Sequence, residues 1–253
     1  MSTKRIDLNC DLGEWKTPEH RLRDEAIMPY ISSCNIACGG HIGDEYSMRT
    51  TMKMAQENYV TIGAHPGYPD RENFGRVVMD ITQEKLSDSI KEQLESFLSI
   101  LDKEGLALHH IKPHGALYNY AAKDKETAQT VLEVIKSVAG NIKVYLPEGF
   151  ISSRIALDLG LDVVYEVFAD RSYEDDLSLR SRSLEGAVLH KREEVLDQIY
   201  SMVMNGEVNT FSGDTKPITA QTICLHSDTE GAAELAKHIH TFLKNHEVAI
   251  LPE

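Results

Sequence analysis

Short apolar runs alternate with amphipathic stretches along most of the chain. Seven segments read as strands: "RIDLNCDLG", "SSCNIACGG", "YVTIGAHPG", "LHHIKPHG", "KVYLPEG", "DVVYEVFAD" and "TICLHSD". Between them, apolar residues recur three or four apart, the period of one helical face. Residues 82–104 carry Leu86, Ile90, Leu94, Phe97, Leu98 and Leu101. Residues 124–139 carry Val131, Val134, Ile135 and Val138, and 191–205 carry Val195, Ile199, Met202 and Val203. Thr82 and Asp124 stand where an N-cap side chain accepts a free amide of the first turn. This alternation predicts a parallel sheet, either closed into a barrel or open and doubly wound. The strand ends favour the barrel: Asp11, His41, His65, His114, Asp170 and His226 all fall at or just past them. In a barrel these ends converge on one face, whereas in an open sheet only those beside a switch point meet. The tail "HEVAIL" is either a short eighth strand or external packing.

Side chains two apart on a strand share a face. Asp7, Asn9 and Asp11 therefore lie together, as do His110, Lys112 and His114. Asp7 is either a structural carboxylate near the barrel floor or a catalytic one. Asp11 ends its strand in "CDLGE", which favours a site, and Glu14 is either part of that site or solvated. In "SCNIACGGHIGD", Gly39, Gly40 and Gly43 permit close backbone approach, and a helix starting near Asp44 offers amides to an anion. Cys34 and Cys38 on one strand stand about 13 Å apart (four residues at roughly 3.3 Å each), too far to chelate one ion, and read as small core residues. The loop "IGAHPGYPDRENFGR" holds His65, Tyr68, Asp70, Arg71, Phe74 and Arg76. Its arginines either bind a ligand or pair with loop carboxylates. Arg171 either binds a carboxylate or pairs with Asp170 or Glu166. His226 and Asp228 end the last strand.

Composition narrows the chemistry. At 253 residues without a Pro/Gly/Ser linker, one α/β domain over residues 1–253 is expected. The net charge of −14 argues against nucleic acid and anionic membranes as partners, since both need a positive field. No apolar stretch is long enough to span a bilayer, and the start lacks the apolar core of a secretion signal. Four cysteines are too few for a disulfide scaffold in a chain this long. The H-E-x-x-H and Walker-A patterns are absent. The rim of acids and histidines suits metal-assisted hydrolysis, or acid–base work with Lys and Arg holding an anion.

Taken together, "IDLNCDLGE", "NIACGGHIGD", "IGAHPGYPD" with "FGR", "IKPHGALYN", "EVFADRSY" and "ICLHSD" resemble the LamB/YcsF family, in order across residues 6–228. The resemblance implies an irregular seven-stranded (β/α) TIM-like barrel of the glycoside hydrolase and deacetylase type. It implies cleavage of 5-oxo-L-proline (pyroglutamate) to L-glutamate in the cytoplasm, coupled to hydrolysis of ATP with Mg²⁺, alongside partner subunits B and C. The family's polar positions fall on Asp7, Asn9, Asp11, Glu14, Asn35, His41, Asp44, His65, Asp70, Arg76, Lys112, His114, Asn119, Asp170, Arg171 and His226. Of these, Asp11, His41, His65, His114, Asp170 and His226 are expected in catalysis. Asn9, Glu14, Arg76, Lys112, Asn119 and Arg171 are expected to bind substrate or phosphate. Within the binding set, Lys112, Arg76 and Arg171 form the expected anion clamp, with Asp11 or His65 as base. No residue is assigned to a metal, and self-association is left open. The chain departs from the family pattern at Gly40 and Ile42, which flank His41, at Val77, at Ser227, and in "EDDLSL". Two further readings stand beside this one: a metal-dependent deacylase acting on another amide or lactam, and a ligand-binding protein without turnover.

Overall fold

The computed structural model describes residues 4–228 and 231–253. Its strands are β1 (Arg5–Leu12), β2 (Ser33–Ala37), β3 (Thr61–His65), β4 (His110–Ile111), β5 (Lys143–Leu146), β6 (Asp162–Phe168), β7 (Glu207–Asn209), β8 (Thr215–Pro217), β9 (Thr222–His226) and β10 (Ala249–Ile250). Strands β1 to β6 and β9 pair in parallel, and β9 returns to β1, closing a seven-stranded barrel. Of the two readings of the tail, the strand holds: β10 runs parallel to the start of β1, with Arg5 opposite Ala249. The antiparallel hairpin β7–β8 was not foreseen, its strands being three residues each.

The helices are α1 (Pro18–Ile27), α2 (Glu45–Glu57), α3 (Gln83–Lys103), α4 (Gly115–Lys123), α5 (Lys125–Ala139), α6 (Ile151–Asp158), α7 (Arg192–Tyr200) and α8 (Ala232–Asn245). The N-caps work as expected: Asp124 accepts from the amide of Thr127 at 2.9 Å, and Thr82 from that of Lys85 at 3.4 Å. The stripe of α3 buries Leu86, Ile90, Leu94, Phe97 and Leu101 against the barrel. Truncating a fully buried Leu such as Leu94 to Ala would cost ~2–5 kcal/mol. None of the described helices is long and apolar enough to cross a membrane.

Strand β1 is buried on both faces, as parallel strands under helices are. Leu8, Cys10 and Leu12 meet the helical layer, while Asp7, Asn9 and Asp11 fill the interior at successive heights. Asp7 forms the floor. Its carboxylate accepts from Ser32 (2.6 Å), Ser33 (2.7 Å), Tyr145 (2.9 Å) and Thr222 (2.6 Å). Four hydroxyl donors leave it no reach toward a substrate, so Asp7 is structural. One level up, His110 stacks on Tyr145 at 3.9 Å and reaches Asn35 Oδ1 at 2.6 Å. Only glycine at position 63 admits that ring, since a Cβ there would stand 2.2 Å from His110 Nε2. The next level, at the strand ends, is charged.

Candidate active site

Lys112 follows β4 and is 2 % exposed at the centre of the barrel. Its Nζ lies 3.0 Å from Asp11 Oδ1, 2.8 Å from Glu166 Oε1 and 3.0 Å from Cys224 Sγ. Burial opposes its charge, but Asp11, Cys224 and Glu166 overcome that and hold the ammonium well above its ordinary pKa. Burial likewise opposes the Asp11 carboxylate, yet His65 and Lys112 keep it well below the usual range. Glu166 is the exception: burial raises it, and Lys112 only partly offsets the rise. Glu166 Oε2 and the Tyr118 hydroxyl lie beside each other and have no further partner among the described residues. Unpaired buried polar atoms are costly unless a ligand completes them.

Beside this ion cluster lies a histidine group. His65 Nε2 is 3.3 Å from Asp11 Oδ2 and 3.0 Å from His114 Nδ1. His41 stacks face to face on His114 at 3.6 Å, and both rings reach Glu14 Oε1, at 2.9 and 3.2 Å. Burial, then the His114 neighbour, pushes His41 down to about 3, so it is neutral and donates Nε2–H to Glu14. Glu14 is held well below the ordinary carboxylate range: burial raises it, and His114 and His41 reverse that. On β9, in register with Asp11, His226 Nδ1 meets Asp170 at 2.9 Å.

A cavity of about 670 Å³ opens above these groups. Asp11, Glu14, His65, Lys112, His114, Glu166 and His226 line it, with Arg76, Arg180 and Arg182 toward the mouth. Arg76 pairs with Asp228, and Arg182 stands 4.0 Å from the same carboxylate. Two guanidiniums on one acid leave the mouth locally positive on a chain of net charge −14.

Of the expected site residues, Asp11, Glu14, His65, Arg76, Lys112, His114, Asn119, Arg171 and His226 thus line one cavity, while His41, Asp170 and Asn9 lie outside it. His41 and Asp170 are packed behind the wall. Asn9 lies deeper, donating to Glu166 (3.0 Å) and Thr222 (2.7 Å) and accepting from Asn35 (2.7 Å), so it braces the ion cluster rather than facing the cavity. Asn119 lines the cavity but donates to Gly115 O of its own helix. Arg171 also lines the cavity, and it donates to the carbonyls of Ala187 (3.2 Å) and Arg180 (2.5 Å), which pins the 180–187 loop. Arg71 binds the carbonyls of Gly39 and Gly43, not loop carboxylates. Asp44 caps α2 through the Ser47 amide, and Asp70 accepts from Asn73. Glu166, Cys224 and Tyr118 were not singled out as site residues. Alternation offered a signal for two of them: Glu166 shares parity with Phe168 and Asp170, and Cys224 with His226.

The departure at Gly40 has a structural partner. A Cβ there would lie 2.3 Å from Gln93 Oε1. Gln93 fills that volume and grips both the amide (3.0 Å) and carbonyl (2.9 Å) of Gly67, next to His65. Ser227 donates to the carbonyl of Asp11 at 2.8 Å.

The family model of the LamB/YcsF family matches residues 6–253. The A subunit of the 5-oxoprolinase of Pyrococcus abyssi (strain GE5 / Orsay) is 42% identical over 248 residues, covering 98% of this chain and 97% of its own length. The crystal structure of a lactam utilization protein from Thermus thermophilus superposes with a TM-score of 0.90 at 32% identity, over 98% of this chain and 100% of that one. A GH113 beta-1,4-mannanase shares the fold alone, with a TM-score of 0.53 at 12% identity over 95% of this chain and 99% of that one.

Proposed function

The chain belongs to the LamB/YcsF family, and from that premise we propose that it is the lactam-opening component of a cytoplasmic, multi-subunit 5-oxoprolinase. It takes 5-oxo-L-proline to L-glutamate with hydrolysis of ATP, carried with Mg²⁺, and works with partner subunits B and C. The names of its relatives support the substrate class. The observation that carries the reading is the Asp11–Lys112–Glu166 cluster beneath a cavity whose mouth is positive.

The chemistry follows from the residues. Opening the ring adds one water across the C–N bond: oxygen to the carbonyl carbon, a proton to the ring nitrogen. An amide is a poor electrophile. Transfer of a phosphoryl group from ATP to its oxygen makes that oxygen a leaving group, and a second water completes release of phosphate. Lys112, held between Asp11, Glu166 and Cys224 at the cavity floor, supplies the positive charge that offsets the negative charge developing on the carbonyl oxygen. The Asp11–His65–His114 group holds and activates water, and Glu166, raised by burial, gives the proton to the departing nitrogen. Arg76 and Arg182 meet the carboxylate or phosphates at the mouth. In the assembled complex, Glu166→Gln should lower kcat by roughly 10²–10⁴ with KM little changed. Full activity of a folded Glu166→Gln complex would remove Glu166 from this role. The metal-dependent deacylase reading uses the same cavity and differs in needing no ATP.

A further inference from the structure

Asp11, His65 and His114 do not fit together as a neutral cluster. His65 Nδ1 lies 2.7 Å from the Lys112 carbonyl oxygen, and His114 Nε2 lies 2.9 Å from that of Phe74. A carbonyl oxygen only accepts, so both of those nitrogens carry the proton. The remaining nitrogens, His65 Nε2 and His114 Nδ1, are then bare lone pairs facing each other at 3.0 Å. Carboxylate oxygens crowd the same point: Asp11 Oδ2 is 3.3 Å from His65 Nε2, and Glu14 Oε1 is 3.2 Å from His114 Nδ1. A second proton on His65 would relieve its contacts with Asp11 and His114 but leave His114 Nδ1 against Glu14 Oε1, and one on His114 would relieve its contacts with His65 and Glu14. The His114 proton would leave His65 Nε2 against Asp11 Oδ2. A cation among all three relieves every contact.

The spacing and the surroundings fit a metal. Donor atoms on a tetrahedral first-row ion with bonds of ~2.0–2.1 Å lie ~3.3–3.4 Å apart, close to the 3.0 and 3.3 Å found here. The three donor atoms all lie within 4.8 Å of one another. The two carbonyls fix the tautomers, as the partners of ligating histidines do. Lys112 and Asn35 both occupy Asp11 Oδ1, at 3.0 and 2.8 Å, which leaves Oδ2 for the ion. Phe74 presents its carbonyl from a left-handed φ of 57°, a strained conformation for a non-glycine residue. All three residues line the cavity, so an open coordination position would face it, as in catalytic rather than closed structural sites.

We propose that Asp11 Oδ2, His65 Nε2 and His114 Nδ1 hold one first-row divalent cation whose open position faces the cavity. Two imidazoles and a carboxylate suit zinc, iron(II), manganese(II) or cobalt(II) better than Mg²⁺ or Ca²⁺, which prefer all-oxygen sets. This ion is separate from any Mg²⁺ that accompanies ATP, and it stands whatever amide the cavity takes.

The test is titration of the chelator-stripped, full-length chain with Co²⁺, read by its d–d absorption, followed by displacement with Zn²⁺. One Co²⁺ per chain is expected, with binding at least tenfold weaker in Asp11→Asn, His65→Gln and His114→Gln. Circular dichroism confirms that each variant is folded, and the three variants stand in for one another should one fail to fold. His226→Gln should bind within twofold of the parent. A stoichiometry well below one in the folded parent means only a protonated His65 or His114, and overturns the proposal. Loss in His226→Gln with retention in His114→Gln also overturns it, by moving the ion to Asp11, Cys224 and His226. The lactam reading fails separately, because it is read by glutamate release and not by cobalt binding.

Discussion

Replacing Asp24 by Asn should remove a pH dependence built into the turn between β1 and α1. Asp24 is buried, and its Oδ2 accepts from the Gly13 amide at 2.8 Å and the Trp15 indole N–H at 2.7 Å. Burial raises its carboxyl to about 7, against the pull of those two donors. In the unfolded chain an Asp titrates at about 3.9. Between about pH 4 and pH 7 the folded chain therefore holds one proton more than the unfolded chain, and stability falls as pH rises through that window. Asn keeps an acceptor for both donors and carries no charge. The stability of Asp24→Asn relative to the parent should then grow by ~3 kcal/mol between pH 5 and pH 8, about two units at ~1.36 kcal/mol each. Urea unfolding at pH 5, 6, 7 and 8 measures it. Trp15 is the one tryptophan of the chain. Its indole donates to the titrating group, so native emission should also shift with a midpoint near 7 and go flat in the variant. A stability difference between Asp24→Asn and the parent that is the same at pH 5 and pH 8 would refute the reasoning.

Other consequences follow from the same geometry. Lys112→Met leaves Asp11 and Glu166 buried without their cation and should cost ~3–5 kcal/mol in urea unfolding. Adding Glu166→Gln to it should recover part of that loss, and a double variant no more stable than the single contradicts the pairing. Gln93→Leu strips two partners from Gly67 and should cost ~1–3 kcal/mol, with faster amide exchange confined to residues 66–76; unchanged exchange there would count against the bracing role. Asp11 and Glu14 are held well below ordinary carboxylates, so the stability they contribute is present above about pH 4 and lost as pH falls through their folded values. Glu14→Gln should accordingly flatten the acid-unfolding profile below pH 4, and an unchanged profile would argue against the Glu14 contacts.

Much of the fold was legible because its signals are local. Helical stripes, the N-caps at Thr82 and Asp124, and alternation in β1 depend on neighbours a few residues away. Convergence of the strand ends was legible too, since barrel closure alone brings Asp11, His65, His114 and His226 together. Roles set by distant partners were not. Asp7 is structural because hydroxyls from Ser32, Ser33, Tyr145 and Thr222 reach it, and no spacing in the sequence announces that meeting. Arg171 reads as an anion clamp or an ion-pair partner at a strand end, and nothing local shows that the loop through residues 180–187 folds back onto its guanidinium. Glu166 and Cys224 come level with Lys112 only through the stagger between strands, which a single sequence does not encode locally.

The measurement that bears most directly on the central claim is glutamate release from 5-oxo-L-proline by this chain together with the two partner subunits proposed for it, with and without ATP. The account predicts glutamate only when all three chains and ATP are present, and its loss on Asp11→Asn in a folded, assembled complex. Assembled proteins that release no glutamate under any condition would contradict it, as would undiminished release by Asp11→Asn.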